Sequence, residues 1–82
     1  MGEGCFAEIL IWRVPSPVPG SAHIFKYSLA FVVDGVCALR FDNEAGKGDH
    51  LHVGAIEKPY TFLGADRLMK DFWMEIDGWR PA

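Results

Sequence analysis

The feature that most constrains the fold is the dipeptide Asp34-Gly35, which lies between two apolar runs in FKYSLAFVVDGVCALRFDN. An Asp-Gly pair between such runs favours a type I′ turn, because both central residues of that turn need positive φ. A two-residue turn of this type joins antiparallel strands. The segments 25–33 and 36–43 are therefore predicted to form a hairpin.

The register of this hairpin follows from its turn. With Val33 opposite Val36, counting back along both strands places Tyr27 opposite Asp42. Both faces are then largely apolar near the turn and polar toward the open end. Such a pattern is typical of a sheet that is covered on both sides near the turn, or covered on one side and paired with another subunit.

Three further segments have the patterns of regular structure. FAEILIWRV, residues 6–14, is rich in β-branched and aromatic residues and predicts a first strand. HLHVGAIE, residues 50–57, alternates and predicts a last strand. Between the first two strands, the prolines of residues 15–21 predict a stiff extended connection. Residues 65–77 predict a helix whose apolar stripe consists of Leu68, Met69, Phe72, Trp73 and Ile76.

Together these elements predict an α+β fold, a four-stranded and mainly antiparallel sheet with one C-terminal helix packed on it. Short connections favour the meander order. The length of 82 residues corresponds to one small domain with a thin core. Half of the residues are hydrophobic, which argues against disorder.

Charge and cysteine content limit the classes of function. A net charge of −3 is not typical of a protein whose whole surface binds nucleic acid, so any phosphate contact must come from a local cluster. Cys5 and Cys37 form no CxxC motif, which favours reduced thiols in a cytoplasmic protein. Glu8 interrupts the apolar N-terminal run, so neither a signal peptide nor a membrane span is expected there.

Several motifs of the chain resemble one known family. KYSLAFVVDG at residues 26–35 and FDNEAGKGDHLH at residues 41–52 are similar to the hairpin and the charged loop of the TumE family. DRLMKDFWMEI at residues 66–76 is similar to the closing helix of that family. The resemblance covers nearly the whole chain. It implies the toxin of a bacterial type II toxin–antitoxin pair, with a helix-turn-helix antitoxin of the TumA type as its partner.

The chain departs from the family pattern at two points. Members usually have an additional strand before the FAEI segment, so the first strand here is expected to be an unprotected edge. Phe41 stands where the family often has Tyr, which removes a hydroxyl from the region of the charged loop.

Small toxins of this kind often cut RNA without a metal ion, and the region around the charged loop contains the groups that such a reaction needs. His50 and His52 lie on one face of a predicted strand and could act as acid and base. Lys47 lies between two glycines and could hold a phosphate, which Arg40 could clamp with its guanidinium fork. The remaining candidates are Asp42 or Asp49, which could orient a histidine, and Tyr27, which lies opposite Asp42 in the predicted register.

Other interpretations of the same residues remain open. The loop could be a solvated β-turn. His50 and His52 with Asp42 or Asp49, Asp49 being the main choice, could instead bind a divalent cation. The protein could also be a non-catalytic module that docks on an antitoxin or a cellular target. Homodimerisation is expected because a short sheet with one helix leaves apolar surface to cover. Cys37 is expected far from either histidine, so a Cys–His nucleophile is not predicted.

Overall fold

The computed structural model describes residues 4–44 and 46–79. It contains a sheet of five strands in the order β1-β2-β3-β4-β5, in which every neighbouring pair is antiparallel, and a C-terminal helix. The α+β class and the position of the helix agree with the prediction, but the predicted number of four strands is wrong. The elements are β1 Cys5–Arg13, β2 Phe25–Val33, β3 Val36–Glu44, β4 Gly48–Val53, β5 Ile56–Pro59 and α1 Ala65–Gly78.

The fifth strand arises because a turn divides the predicted strand 50–57. Val53 pairs with Ile56, so Gly54 and Ala55 form a two-residue turn. Gly54 has a φ of 59° and Ala55 a negative φ, which is the pattern of a type II′ hairpin turn. The Gly-Ala dipeptide inside an alternating run was therefore a turn signal, since type II′ turns require glycine at the first central position.

The hairpin of β2 and β3 has the predicted turn and a different register. Asp34 and Gly35 both have positive φ, as a type I′ turn requires. A bulge between Phe31 and Val32 then shifts the pairing by one residue. Ser28, and not Tyr27, consequently lies opposite Asp42.

Burial of apolar side chains explains why the shifted register is favoured. In the unshifted register, Leu39 and Phe41 would point to the face opposite Leu29 and Phe31, because side chains alternate along a strand. The extra residue at the bulge brings all four onto one face, and all four are buried there. We call this the inner face of the sheet.

The helix α1 packs on the inner face and completes the core. Leu68 and Phe72 are its buried residues, and the Phe72 ring meets the Phe41 ring edge-on at 6.0 Å. Phe41, where the family often has Tyr, is thus a core residue and not part of the charged loop's surface. The buried core cluster consists of Tyr27, Leu29, Phe31, Leu39, Phe41, Leu51, Leu68 and Phe72.

The connection between β1 and β2 folds back over the start of β4. The carbonyl oxygen of Pro19, in this connection, accepts a hydrogen bond from the backbone N–H of Gly46 at 2.7 Å. Gly20 and Gly48 approach so closely that a Cβ on Gly48 would lie 2.6 Å from the carbonyl oxygen of Gly20. Only glycine at position 48, where φ is +76°, permits this approach, which brings the connection against β4.

Candidate functional site

The sheet divides the polar residues near its open end into two clusters. The outer face, which is the face away from α1, carries the outer cluster of Arg40, Asp42, His50, His52 and Glu57. The inner face carries the inner cluster of Ser21, His23, Tyr27, Asn43 and Asp49. Because side chains alternate along a strand, the candidates predicted from sequence to act together near the charged loop are separated by the sheet itself. Lys47 lies in the turn before β4, with Nζ 3.8 Å from Oε1 of Glu57.

Three side chains of the outer cluster form one row across three strands. His52 in β4 lies directly opposite Arg40 in β3 on one side and Glu57 in β5 on the other. Nδ1 of His52 is 4.0 Å from Oε2 of Glu57. The His52 side chain is about one-third exposed, and those of Arg40 and Glu57 are each nearly half exposed. The row therefore offers a cation, an imidazole and a carboxylate to solvent.

Asp42 and His50 form a buried pair beside this row, with exposures of 6% and 3%. Nδ1 of His50 lies 3.0 Å from the carbonyl oxygen of Gly48. Because a carbonyl oxygen can only accept a hydrogen bond, Nδ1 must carry the hydrogen. Nε2 lies 2.5 Å from Oδ1 of Asp42, which is close enough for an ion pair. No described residue makes a hydrogen bond of good geometry to either atom. If the ring is neutral, two lone pairs face each other.

The outer cluster also has the composition of a cation site. Asp42, His50 and His52 each offer one ligand atom, and these three atoms lie within 4.8 Å of one another. The rings of the two histidines meet edge-on, with centroids 4.7 Å apart. The metal-binding set predicted from sequence left Asp42 or Asp49 as the carboxylate, with Asp49 as the main choice. The structure places Asp42 in that position and Asp49 on the other face.

A shallow cleft of about 200 Å³ borders the outer row. Cys37, Arg40, His52 and Gly54 line it. Cys37, expected far from either histidine, thus borders the same cleft as His52, because the antiparallel pairing of β3 with β4 places the end of β4 beside the start of β3. The Cys37 thiol itself donates a hydrogen bond to the carbonyl oxygen of Leu39 at 3.3 Å.

Asp49 is the centre of the inner cluster. Its carboxylate accepts hydrogen bonds from Ser21 Oγ at 2.6 Å, His23 Nε2 at 2.6 Å and Tyr27 Oη at 2.7 Å. Nδ1 of His23 accepts a hydrogen bond from the backbone N–H of Phe25, so its Nε2 carries the hydrogen. Asp49 thus orients a histidine, which is one of the roles predicted for it from the sequence. The histidine is His23, however, and not His50 or His52.

Asn43 completes this cluster by joining the connection to β2 and β3. Its Oδ1 accepts a hydrogen bond from the backbone N–H of Tyr27 at 3.0 Å. Its Nδ2 donates to the carbonyl oxygen of Phe25 at 2.7 Å and to Oγ of Ser21, in the connection, at 3.2 Å. His23 also stacks on Phe62 with ring centroids 3.8 Å apart. Both nitrogens of His23 make hydrogen bonds within the protein. The inner cluster therefore stabilises the fold. Ser21, His23 and Glu57 were not predicted from the sequence, because no local pattern shows that the connection folds over β4 or that a fifth strand follows it.

The hydrogen bonds of the inner cluster shift two pKa values. Burial alone would raise the pKa of Asp49, but the hydrogen bonds from Ser21, His23 and Tyr27 outweigh it and hold the pKa below its ordinary value of 3.8. Burial and the hydrogen bond to Asp49 raise the pKa of Tyr27 well above its ordinary range. Asp49 therefore stays ionised and Tyr27 stays protonated near neutral pH.

Asp49 is expected to stabilise the fold above pH 4 and to lose that effect in acid. A carboxyl group whose pKa is lower in the folded than in the unfolded chain stabilises the fold when ionised, and protonation removes the effect. Asp49→Asn should lower the free energy of unfolding by about 1–3 kcal/mol at pH 7. The difference from the wild type should shrink as the pH falls through 3.8 and below. Urea unfolding at a series of pH values measures it, and a difference that stays constant down to acid pH would contradict this role.

Comparison with known proteins assigns the chain to a family. Residues 2–80 match the family described as Toxin TumE. Searches of curated proteins and of solved structures gave no match. In the described part of the chain, no helix is long and apolar enough to cross a membrane. Because the family match spans nearly the whole sequence, the protein belongs to the TumE family of toxins, and this membership implies an antitoxin partner.

Proposed function

We propose that this toxin is a metal-independent endoribonuclease and that the outer row of Arg40, His52 and Glu57 carries out the cleavage. The observation that supports this proposal is the cross-strand register, which aligns the three side chains on one exposed face. A carboxylate, an imidazole and a guanidinium are the groups that RNA cleavage through the neighbouring 2′-hydroxyl needs. An RNA substrate implies that the toxin acts in the cytoplasm.

Each group of the row has a role in the proposed reaction. Glu57 accepts the proton of the 2′-hydroxyl, whose oxygen then attacks phosphorus and forms the new P–O bond. The bond from phosphorus to the 5′-oxygen breaks, and His52 donates the proton that this leaving oxygen needs. Arg40 stabilises the negative charge on the phosphoryl oxygens, assisted by Lys47 from the adjacent turn. The products are a 2′,3′-cyclic phosphate and a 5′-hydroxyl end.

The other candidates from the sequence do not contact RNA in this proposal. His50 and Asp42 are too buried to contact RNA, and they support the row as positioning residues, with the His50 ring against the edge of His52. Tyr27 and Asp49 lie on the inner face and hold the connection against β4. They take no part in the reaction.

Purified toxin, freed of its antitoxin, is expected to cleave RNA and to leave 2′,3′-cyclic phosphate ends. A chelator should not slow the cleavage, since no step uses a metal ion. His52→Ala should remove the activity while the melting temperature stays near that of the wild type. Lys58→Ala serves as the matched control, because Lys58 is exposed beside Glu57 in β5 and its side chain points to the other face.

One observation favours a second function, that of a docking module. Phe6, Leu10 and Trp12 lie at alternating positions of the edge strand β1 and are about half exposed. They share the outer face with the outer row. Leu10 lies opposite Ser28, and Ser28 lies opposite Asp42, whose side chain is on the outer face. A helix-turn-helix antitoxin bound to this apolar patch would cover the row and neutralise the toxin.

The cleavage assay separates the two functions. Intact RNA with the wild-type protein, together with toxicity that His52→Ala retains, would reject the ribonuclease and support docking on a cellular target. Trp12→Ala should then abolish toxicity. The mass of the purified toxin in solution tests whether a second copy of the chain covers the same patch in a homodimer.

A further inference from the structure

We infer that Asp42, His50 and His52 form a binding site for one divalent transition-metal ion of the Zn²⁺ class, and that the bound ion inhibits the toxin. The binding site stands on the geometry of these three residues alone. The inhibition rests on the proposed function, because it requires that His52 acts in RNA cleavage.

The buried pair supplies the first argument for the site. The hydrogen bond from Nδ1 to Gly48 leaves Nε2 of His50 as the free nitrogen, and this nitrogen faces a carboxylate oxygen at 2.5 Å. Both atoms are buried, and no hydrogen bond from the described residues satisfies either of them. Two buried acceptor atoms this close need a positive charge between them, which either a proton or a metal ion can supply. A metal ion bound by imidazole and carboxylate provides such a charge.

His52 supplies a third ligand and the path to solvent. Its ring lies against that of His50, and the three ligand atoms are within 4.8 Å of one another. Zinc bonds to nitrogen and oxygen of about 2.0–2.1 Å require ligand atoms about 3.3 Å apart in a tetrahedral site. The contact between Nε2 and Oδ1 must therefore open by less than about 1 Å, which side-chain rotation can provide. Since His52 is partly exposed, the ion can enter from the outer face, where a fourth position stays open to water.

The set of ligands indicates the class of ion. Two imidazoles and one carboxylate favour zinc and similar transition metals over Mg²⁺ or Ca²⁺, which prefer oxygen ligands. The hydrogen bond from Nδ1 of His50 to Gly48 O is also the kind of outer contact that orients a metal-binding histidine.

The inner cluster contains a second His–Asp pair that provides a matched control. Nε2 of His23 lies 2.6 Å from Oδ2 of Asp49, nearly the same distance as in the outer pair. In His23, however, Nδ1 accepts the hydrogen bond from Phe25 and Nε2 donates to the carboxylate. No nitrogen of His23 is free for a metal ion. The two pairs therefore differ in tautomer and in the capacity to bind a cation.

Inhibition follows from the double use of His52. A nitrogen that is bonded to a metal ion cannot donate a proton to the leaving 5′-oxygen. The ion also adds positive charge beside Asp42, whose Oδ2 lies 4.0 Å from Nη1 of Arg40, and so changes the charge around the phosphate-binding group. Zinc is thus expected to stop cleavage by a toxin that needs no metal ion to act.

Titration calorimetry with ZnCl₂ tests the site directly, without any RNA. The wild type is expected to bind one ion per chain, and Co²⁺ should give the visible absorption of a site with nitrogen ligands. His52→Ala removes one of the three ligands and should weaken binding by more than about 100-fold, which is the largest loss typical of a residue that only supports a ligand. His23→Gln should bind as the wild type does. Circular dichroism establishes that each variant is folded, and His52→Ala is the decisive variant because His52 is the most exposed of the three ligands.

Two results would overturn the site: a wild type that binds no zinc, or zinc binding of equal strength in His52→Ala. A cleavage assay with and without ZnCl₂ then tests the inhibition, which a chelator should reverse. Faster cleavage with zinc would overturn the inhibitory role. Absence of cleavage under all conditions would reject the proposed ribonuclease, while the calorimetric result would still decide the metal site.

Discussion

Phe72→Ala is expected to lower the free energy of unfolding by about 3–5 kcal/mol, the range for removing a buried aromatic ring. Phe72 is 0% exposed, and it meets Phe41 across the boundary between helix and sheet. Small domains have total stabilities of only about 5–15 kcal/mol. The variant should therefore lose a large share of its stability and melt at a clearly lower temperature than the wild type.

Urea unfolding at 25 °C measures this loss, with Met74→Ala as the matched control on the same helix. Met74 is 59% exposed, so its truncation should change the free energy of unfolding by no more than about 0.5 kcal/mol. Equal losses in the two variants would show that α1 does not pack on the inner face through Phe72. The predicted stripe is correct for Leu68 and Phe72, whereas Trp73, also placed in it, is exposed.

The largest effect on activity is expected for His52→Ala and Glu57→Gln, each of which should lower the rate of RNA cleavage by about 10²–10⁴-fold. The two roles can be distinguished with a ribonucleoside 3′-(4-nitrophenyl phosphate). Nitrophenolate leaves without a proton, so this substrate needs the base but not the acid. His52→Ala should therefore cleave it nearly as fast as the wild type, whereas Glu57→Gln should remain slow.

The comparison of substrates also contains the result that would reject these roles. If His52→Ala loses as much activity with the nitrophenyl ester as with RNA, His52 does not protonate the leaving oxygen. Lys58→Ala should match the wild type on both substrates, because its side chain is on the other face of the sheet. A loss in that control would indicate a general effect of charge near β5.

Local patterns in the sequence were sufficient for several parts of the fold. The Asp34-Gly35 turn depends on two adjacent residues that tolerate positive φ, and it was predicted correctly. The helix follows from a periodic apolar stripe. Family membership follows from motifs such as the one at residues 41–52, and the family match over residues 2–80 confirms it.

The arrangement of the site required information that no local pattern contains. Tyr27 was grouped with the candidates near the charged loop because the predicted register put it opposite Asp42. A single bulge changes that register and moves every later residue of β3 to the other face. Glu57 entered the site only because the turn at Gly54 folds β5 back along His52.

The sequence by itself determined the family, the class of fold, the turn at Asp34-Gly35 and the chemical types of residue near the charged loop. The tertiary structure alone decided which of those residues share a face. The physical reason is that side chains alternate along a strand with a period of two, so one inserted residue exchanges the faces. Whether that residue is inserted depends on burying Leu39 and Phe41 under a helix about thirty positions away in the chain, as their placement in the core shows.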